Sequence, residues 1–117
     1  MPIAPVKPEI GIDVLEKIDI RVGTIRAVDD VPGSDKLLAL RVSFGDRERT
    51  VLSGMKAERP DPSVLVGRQA LFVVNLKPRK MAGMLSEGML FDIGYADGIV
   101  PVLATPEALV PDGSRAG

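Results

Sequence analysis

The chain has 117 residues, of which 45% are apolar and 26% charged, with 12 glycines and 10 prolines. That is the length of one domain with a core available, and the turn-rich composition excludes a simple helical bundle. Cysteine and histidine are both absent, which excludes disulfides, thiolate chemistry, imidazole acid–base catalysis and imidazole metal sites.

The net charge of −1 rules out a polycation that coats nucleic acid by bulk attraction. The charges are nevertheless unevenly placed. Residues 62–86 hold Arg68, Lys77, Arg79 and Lys80 and no acid at all. An acidic chain with one basic segment can still offer a local anion site. No run approaches the ~20 apolar residues that span a bilayer, and residues 1–12 lack the apolar core of a signal peptide. A cytoplasmic location without membrane contact is therefore expected.

Pro2, Pro5 and Pro8 recur every third residue and predict an extended arm over residues 1–11. Residues 12–117 read as a single domain. Ile10, Val14 and Leu15 suit a short helical turn within residues 10–17. Residues 19–28 read as a strand with Ile18, Ile20 and Val22 on one face, after which the apolar parity moves to Ile25 and Ala27. A bulge or bend at Gly23 would explain that change. Val31-Pro32-Gly33-Ser34-Asp35 is a turn. Leu38, Leu40, Val42 and Phe44 then alternate with Ala39, Arg41 and Ser43 in the most regular strand pattern of the chain. Gly45-Asp46-Arg47 makes a hairpin loop, and residues 48–53 return as its partner strand.

Asp61-Pro62 has the form of a helix N-cap with proline in the first turn, closed by Gly67. Residues 70–76 are apolar except for Asn75, which suits a strand buried on both faces. Residues 89–93 and 99–103 are the last strand candidates, the second carrying Pro101 at an edge. Five or six short strands, one short helix and no βαβ alternation predict an all-β fold. The pattern fits a five-stranded Greek-key barrel of the OB type with the helix at one end; an SH3-like barrel is the rival.

Function is best sought in Asn75-Leu76-Lys77-Pro78-Arg79-Lys80 and the following segment through Ser86 to Met89. Cations clustered at a strand end, with amide and hydroxyl groups nearby, can satisfy several phosphate oxygens at once. Taken alone, the segment equally describes a solvated loop. Phe44, Phe72 and Phe91 alternate with aliphatic residues and belong to the core. Base stacking on aromatic platforms is therefore disfavoured, which leaves backbone charge and shape, with Met84 or Met89 touching a base. A Ser86 pair with Lys80 or Lys77 could act as a nucleophile, but nothing places a substrate there, and Ser86 reads more simply as a strand-entry residue. Asp29-Asp30 reads as a solvated turn rather than a metal site. No catalytic residue, cofactor or metal is assigned.

At these positions the chain resembles the tRNA-binding domain family. That family includes modules at the C-terminus of methionyl-tRNA synthetases, free-standing tRNA-binding proteins and CsaA-type chaperones. The resemblance is carried by Ile18-Asp19-Ile20-Arg21-Val22-Gly23, Asp35-Lys36-Leu37-Leu38, Val51-Leu52-Ser53-Gly54 and Leu65-Val66-Gly67-Arg68. It continues in Val74-Asn75-Leu76-Lys77-Pro78-Arg79-Lys80-Met81-Ala82-Gly83, in Ser86-Glu87-Gly88-Met89-Leu90 and in the tail through Pro111-Asp112-Gly113-Ser114. The motifs run in the family's order over about residues 12–115.

The resemblance implies an OB fold, a homodimer formed through the N-terminal segment and C-terminal region, and non-catalytic binding of tRNA by shape. Carried over by position, it implies RNA contacts at Lys36, Ser53, Asn75, Lys77, Arg79, Lys80, Ser86 and Met89. Lys36 and Ser53 rest on the resemblance alone. Lys77-Pro78-Arg79 together with Ser86-Glu87-Gly88-Met89 mixes the synthetase-type and CsaA-type patterns. An alternative function is therefore a chaperone for unfolded polypeptides, with Met81, Met84 and Met89 as adaptable apolar contacts. An aminoacyl-tRNA synthetase is a further partner class.

Overall fold

A computed structural model describes residues 3–57 and 59–117. Pro2, the first proline of the expected arm, lies outside the described residues. Residues 3–11 have no regular secondary structure and are exposed. They lead into a single helical turn, α1 (Ile12–Leu15), none of whose side chains is buried.

The domain is built around β1 (Ile20–Asp30), which is long enough to serve several partners. Its first half pairs antiparallel with β4 (Gln69–Val73), matching Ile20 with Val73 and Thr24 with Gln69. Its second half pairs with β2 (Leu38–Ser43), which hairpins to β3 (Glu48–Ser53) through a loop where Gly45 takes a φ of 91°. The short β7 (Met89–Leu90) extends β4 on its far side, giving the order β3-β2-β1-β4-β7. The curled antiparallel sheet forms an OB-like barrel, as the strand pattern predicts.

The expected bulge is present but displaced. Ile25 faces Val42 and Ala27 faces Arg41, so the extra residue is Arg26 rather than Gly23. Gly23 serves close packing instead: a Cβ there would lie 2.5 Å from Val42 Cγ1 and 2.8 Å from the Phe44 ring. The core inside the barrel gathers Ile25, Leu38, Leu40, Val42, Val51 and Phe72. Phe44 meets Phe72 edge-on, with centroids 5.5 Å apart and planes at 84°, an arrangement that suits the ring quadrupoles. Leu65 closes one end from a 3-10 turn over Pro62–Leu65, in which the Asp61 carboxylate accepts from the Ser63 N–H. The predicted helix is thus a single 3-10 turn with the predicted cap.

Three further differences concern short elements. β4 ends at Val73, so Asn75 and Leu76 lie beyond the buried strand and are exposed. The apolar stretch at 89–93 divides between β7 and β8 (Asp92–Ile93), and β8 pairs with β9 (Val102–Leu103). Pro101 sits just before β9 rather than within it. Two elements lack a strong period and escape the sequence pattern. One is the hairpin of β5 (Arg79–Met81) and β6 (Met84–Ser86); the other is β10 (Arg115–Ala116), which lies on the edge of β1 that β2 leaves free.

Candidate nucleic-acid interface

The basic segment is a hairpin rather than a loop. Ala82 and Gly83 form its two-residue turn, with φ values of 49° and 81°. Positive φ at both positions matches the twist that a tight hairpin requires, and alanine is an unusual choice for the first of them. The register sets Arg79 against Ser86, Lys80 against Leu85 and Met81 against Met84. Because side chains alternate across a strand, Arg79, Met81, Met84 and Ser86 share one face while Lys80 and Leu85 occupy the other.

The inner face is fixed to the barrel. Met81 and Met84 pack on a small apolar cluster of Val31, Ala39 and Leu52, joined by Leu37. Two of the three methionines expected to be adaptable ligand contacts are therefore half-buried supports, and only Met89, 45% exposed, presents its side chain. Leu37 and Leu52 are the chain neighbours of Lys36 and Ser53. Packing at this cluster thus brings Lys36, Ser53 and the hairpin to one side of the molecule. Backbone bonding agrees: the Lys56 N–H donates to the Lys36 carbonyl, and Ser53 pairs with Leu38.

Lys36, Lys77, Arg79 and Lys80 are exposed, and among the described residues none is in an ion pair. Arg68, the remaining cation of the acid-free stretch, follows the 3-10 turn, and its carbonyl accepts from Ile25 N–H. It is not part of the hairpin.

Two predicted contacts are placed differently. Ser86 is only 4% exposed, its hydroxyl accepting from Leu52 N–H at 3.0 Å and donating to the Gly88 carbonyl at 3.0 Å. It has no free face for a ligand. Asn75 is exposed, but its amide holds the chain before β1: Nδ2 donates to Lys17 carbonyl at 2.7 Å, and Oδ1 accepts from Asp19 N–H at 2.8 Å. Sequence reasoning missed Glu87, which supports Ser86. Its N–H donates to the Thr50 carbonyl at 2.8 Å, and its carboxylate accepts from Thr50 N–H at 3.3 Å. The only sequence signal was the Ser-Glu pair itself.

The other charged region spends its charges internally. Asp19 accepts from Arg21 Nε at 2.8 Å and Nη2 at 3.1 Å, and from Arg115 Nε at 3.2 Å. The hydrogen bond from Arg21 holds the Asp19 carboxyl below its ordinary value of 3.8 against the opposing effect of burial, and a hydrogen bond from Arg115 adds to the lowering. Arg49 donates to the Val74 carbonyl at 2.7 Å, with its guanidinium carbon 6.0 Å from the Phe44 ring centroid. Asp19, Arg21, Phe44, Arg49 and Val74 line a cleft of about 170 Å³ with Asp46, Arg47 and Gly113. Among the described residues no cluster of three acidic side chains could hold a metal, and no helix is long and apolar enough to cross a membrane.

Comparison with known proteins decides the relationship. The family model described as "Putative tRNA binding domain" matches residues 20–115. The chain belongs to the tRNA-binding domain family. It is 44% identical over 111 residues to a methionine–tRNA ligase of Parabacteroides distasonis, covering 95% of this chain but 16% of that protein. Among solved structures it resembles a MetRS-related protein from Pyrococcus horikoshii, with a TM-score of 0.86 and 34% identity. That match covers 95% of this chain and 100% of the other. It also resembles the CsaA chaperone protein from Picrophilus torridus, with a TM-score of 0.81 and 27% identity over 93% of this chain and 100% of the other. The matched domain is a binding module, and the family embraces both tRNA-binding and chaperone contexts.

Proposed function

We propose that the chain binds folded tRNA by shape and phosphate contact, without chemistry of its own, in the cytoplasm. The observation that carries this reading is the set of exposed cations Lys36, Lys77, Arg79 and Lys80 without ion pairs among the described residues, carried by the β5–β6 hairpin and by the segment before β2 that packs on the same apolar cluster as the hairpin, in a tRNA-binding domain. An unpaired cation that meets a phosphate releases a condensed counterion, which is the main source of sequence-independent affinity. Ser53 and Met89 are further contacts in this reading, while Ser86 supports the hairpin from the barrel and Asn75 holds the chain before β1. Fluorescence anisotropy with total tRNA, against an unstructured RNA of equal length at two salt concentrations, tests the reading. Salt-sensitive binding that prefers tRNA is expected; equal binding to both RNAs overturns shape recognition.

The working unit is a homodimer. Ile3, Val6, Ile10, Ile12 and Leu15 are each at least half exposed, so the apolar side chains of α1 and the arm are left largely uncovered by their own domain. A symmetric partner would cover them. Sedimentation at micromolar concentration should give twice the monomer mass, and a monomer would contradict the dimer.

The same exposed apolar arm favours one second reading, a chaperone for unfolded polypeptides. Suppression of aggregation of an unrelated unfolded protein, insensitive to salt, would support it, and no suppression at excess protein would remove it. The likeness to a methionine–tRNA ligase makes a synthetase the further partner class to test by pull-down.

A further inference from the structure

The cationic hairpin is joined to the barrel by very few bonds. Among the described residues, the hydrogen bonds of residues 77–85 stay within the hairpin. The join is made at its end, where β3 faces the segment 86–87 across the barrel seam. Only one bond there is backbone to backbone, from Glu87 N–H to the Thr50 carbonyl. The next rungs are completed by side chains. Leu52 N–H, on a residue 5% exposed, has the Ser86 hydroxyl as its acceptor, and Thr50 N–H has the Glu87 carboxylate. The main chain cannot supply these acceptors because it turns away at Gly88 toward β7, where a Cβ would lie 3.0 Å from the Val73 carbonyl.

The geometry points to Ser86 and Glu87 as positioning residues that close the seam and aim Arg79, Lys80 and Lys77 at the nucleic acid. Neither touches the ligand. Arg79 stands directly opposite Ser86 in the hairpin register, so any loosening at Ser86 moves the cations first. Met81 and Met84 hold the hairpin against the barrel, but apolar packing fixes direction less sharply than a hydrogen bond does. The inference rests on the tRNA-binding reading for its functional half only.

The test uses the full chain and three variants, S86A, E87A and E87Q, measured by amide hydrogen exchange without RNA and by anisotropy with tRNA. In S86A, exchange at Leu52 and across residues 79–86 should accelerate by about tenfold or more beyond any change in the β1–β4 rungs. Affinity for tRNA should fall by roughly five- to tenfold, with a salt slope shallower by about one unit as a phosphate contact is lost. E87A separates positioning from plain electrostatics. Removing an acid near cations should tighten RNA binding if charge alone matters, whereas an opened seam weakens it. E87Q keeps a carbonyl acceptor and should bind at least as well as the wild type.

Hairpin exchange unchanged in both S86A and E87A would overturn the inference. So would an affinity loss in S86A with an unchanged salt slope, which would mark a direct contact by the hydroxyl. If S86A does not fold, the two Glu87 variants decide alone, since that side chain is only half-buried. If the wild type binds no tRNA, the functional proposal fails, while hydrogen exchange still decides whether the seam holds the hairpin.

Discussion

The arginines around Asp19 and the cations of the β5–β6 hairpin are similar in residue type and opposite in what they touch. Arg21 and Arg115 share one carboxylate, and Arg49 is bound to the Val74 carbonyl. Their charges organise the start of β1, the C-terminal strand and the end of β4. Lys77, Arg79 and Lys80 have no such partners among the described residues. A cation already paired to a carboxylate neutralises little phosphate charge and so displaces few of the counterions condensed on the nucleic acid, whereas an unpaired one is available to do so. A count of basic residues therefore overstates the binding surface, and the neighbours identify which charges are available.

The largest expected effect breaks the comparison from the hairpin side. R79E/K80E should weaken tRNA binding by roughly 100-fold at low salt. Its melting temperature should stay close to the wild type, because both side chains are exposed and unpaired. A loss under about threefold by anisotropy would remove the hairpin from the binding surface.

Disturbing Asp19 should do the reverse. D19A frees Arg21 and Arg115, and thermal denaturation at pH 7 should show a fall of about 3–5 °C without the loss of tRNA affinity expected of the hairpin variant. The pH dependence sharpens the point. Because the folded carboxyl titrates below its ordinary value of 3.8, its stabilisation is complete above that value. It is lost as pH falls through the lowered folded value. The gap in melting temperature between wild type and D19N should therefore be full at neutral pH and close below about pH 4. A gap that widens in acid would contradict the assigned ion pairs.

The smallest effect concerns the hairpin turn. Ala82 sits at a φ of 49°, where a Cβ costs about 1 kcal/mol, and Asn-Gly is the preferred pair for such a turn. A82N should raise the melting temperature by a few degrees at most and leave tRNA binding unchanged or slightly tighter.

The parts of the fold legible in the sequence are those specified by local chemistry. The alternation from Leu38 to Phe44 gives β2 because its inward residues fill one barrel face, and Asp61-Pro62 gives the capped turn from its own side chain and ring. The bulge shows where local reading stops. The parity change after Val22 is real, but the extra residue falls at Arg26, where β1 has passed from β4 to β2. Gly23 is glycine because Val42 and Phe44, distant in sequence, press on it. β5 and β6 were hidden because three residues per strand establish no period, and β10 because its pairing depends wholly on β1.

The candidate site divides in the same way. Lys77, Arg79 and Lys80 stand out by composition, and nothing local could show whether they are paired. Ser86 and Asn75 are polar residues in a basic segment and read as ligand contacts. Only the folded barrel supplies the Leu52 N–H and the Lys17 carbonyl that occupy them.

The most direct test of the division between spent and available charges is the salt dependence of tRNA affinity for three proteins. These are the wild type, K77A/R79A/K80A, and R115A, which removes a cation from the Asp19 group. The slope of log K against log salt should become shallower by about two to three units in the hairpin variant. In R115A it should match the wild type. Equal slopes in wild type and hairpin variant, or a slope lost in R115A, would contradict the account.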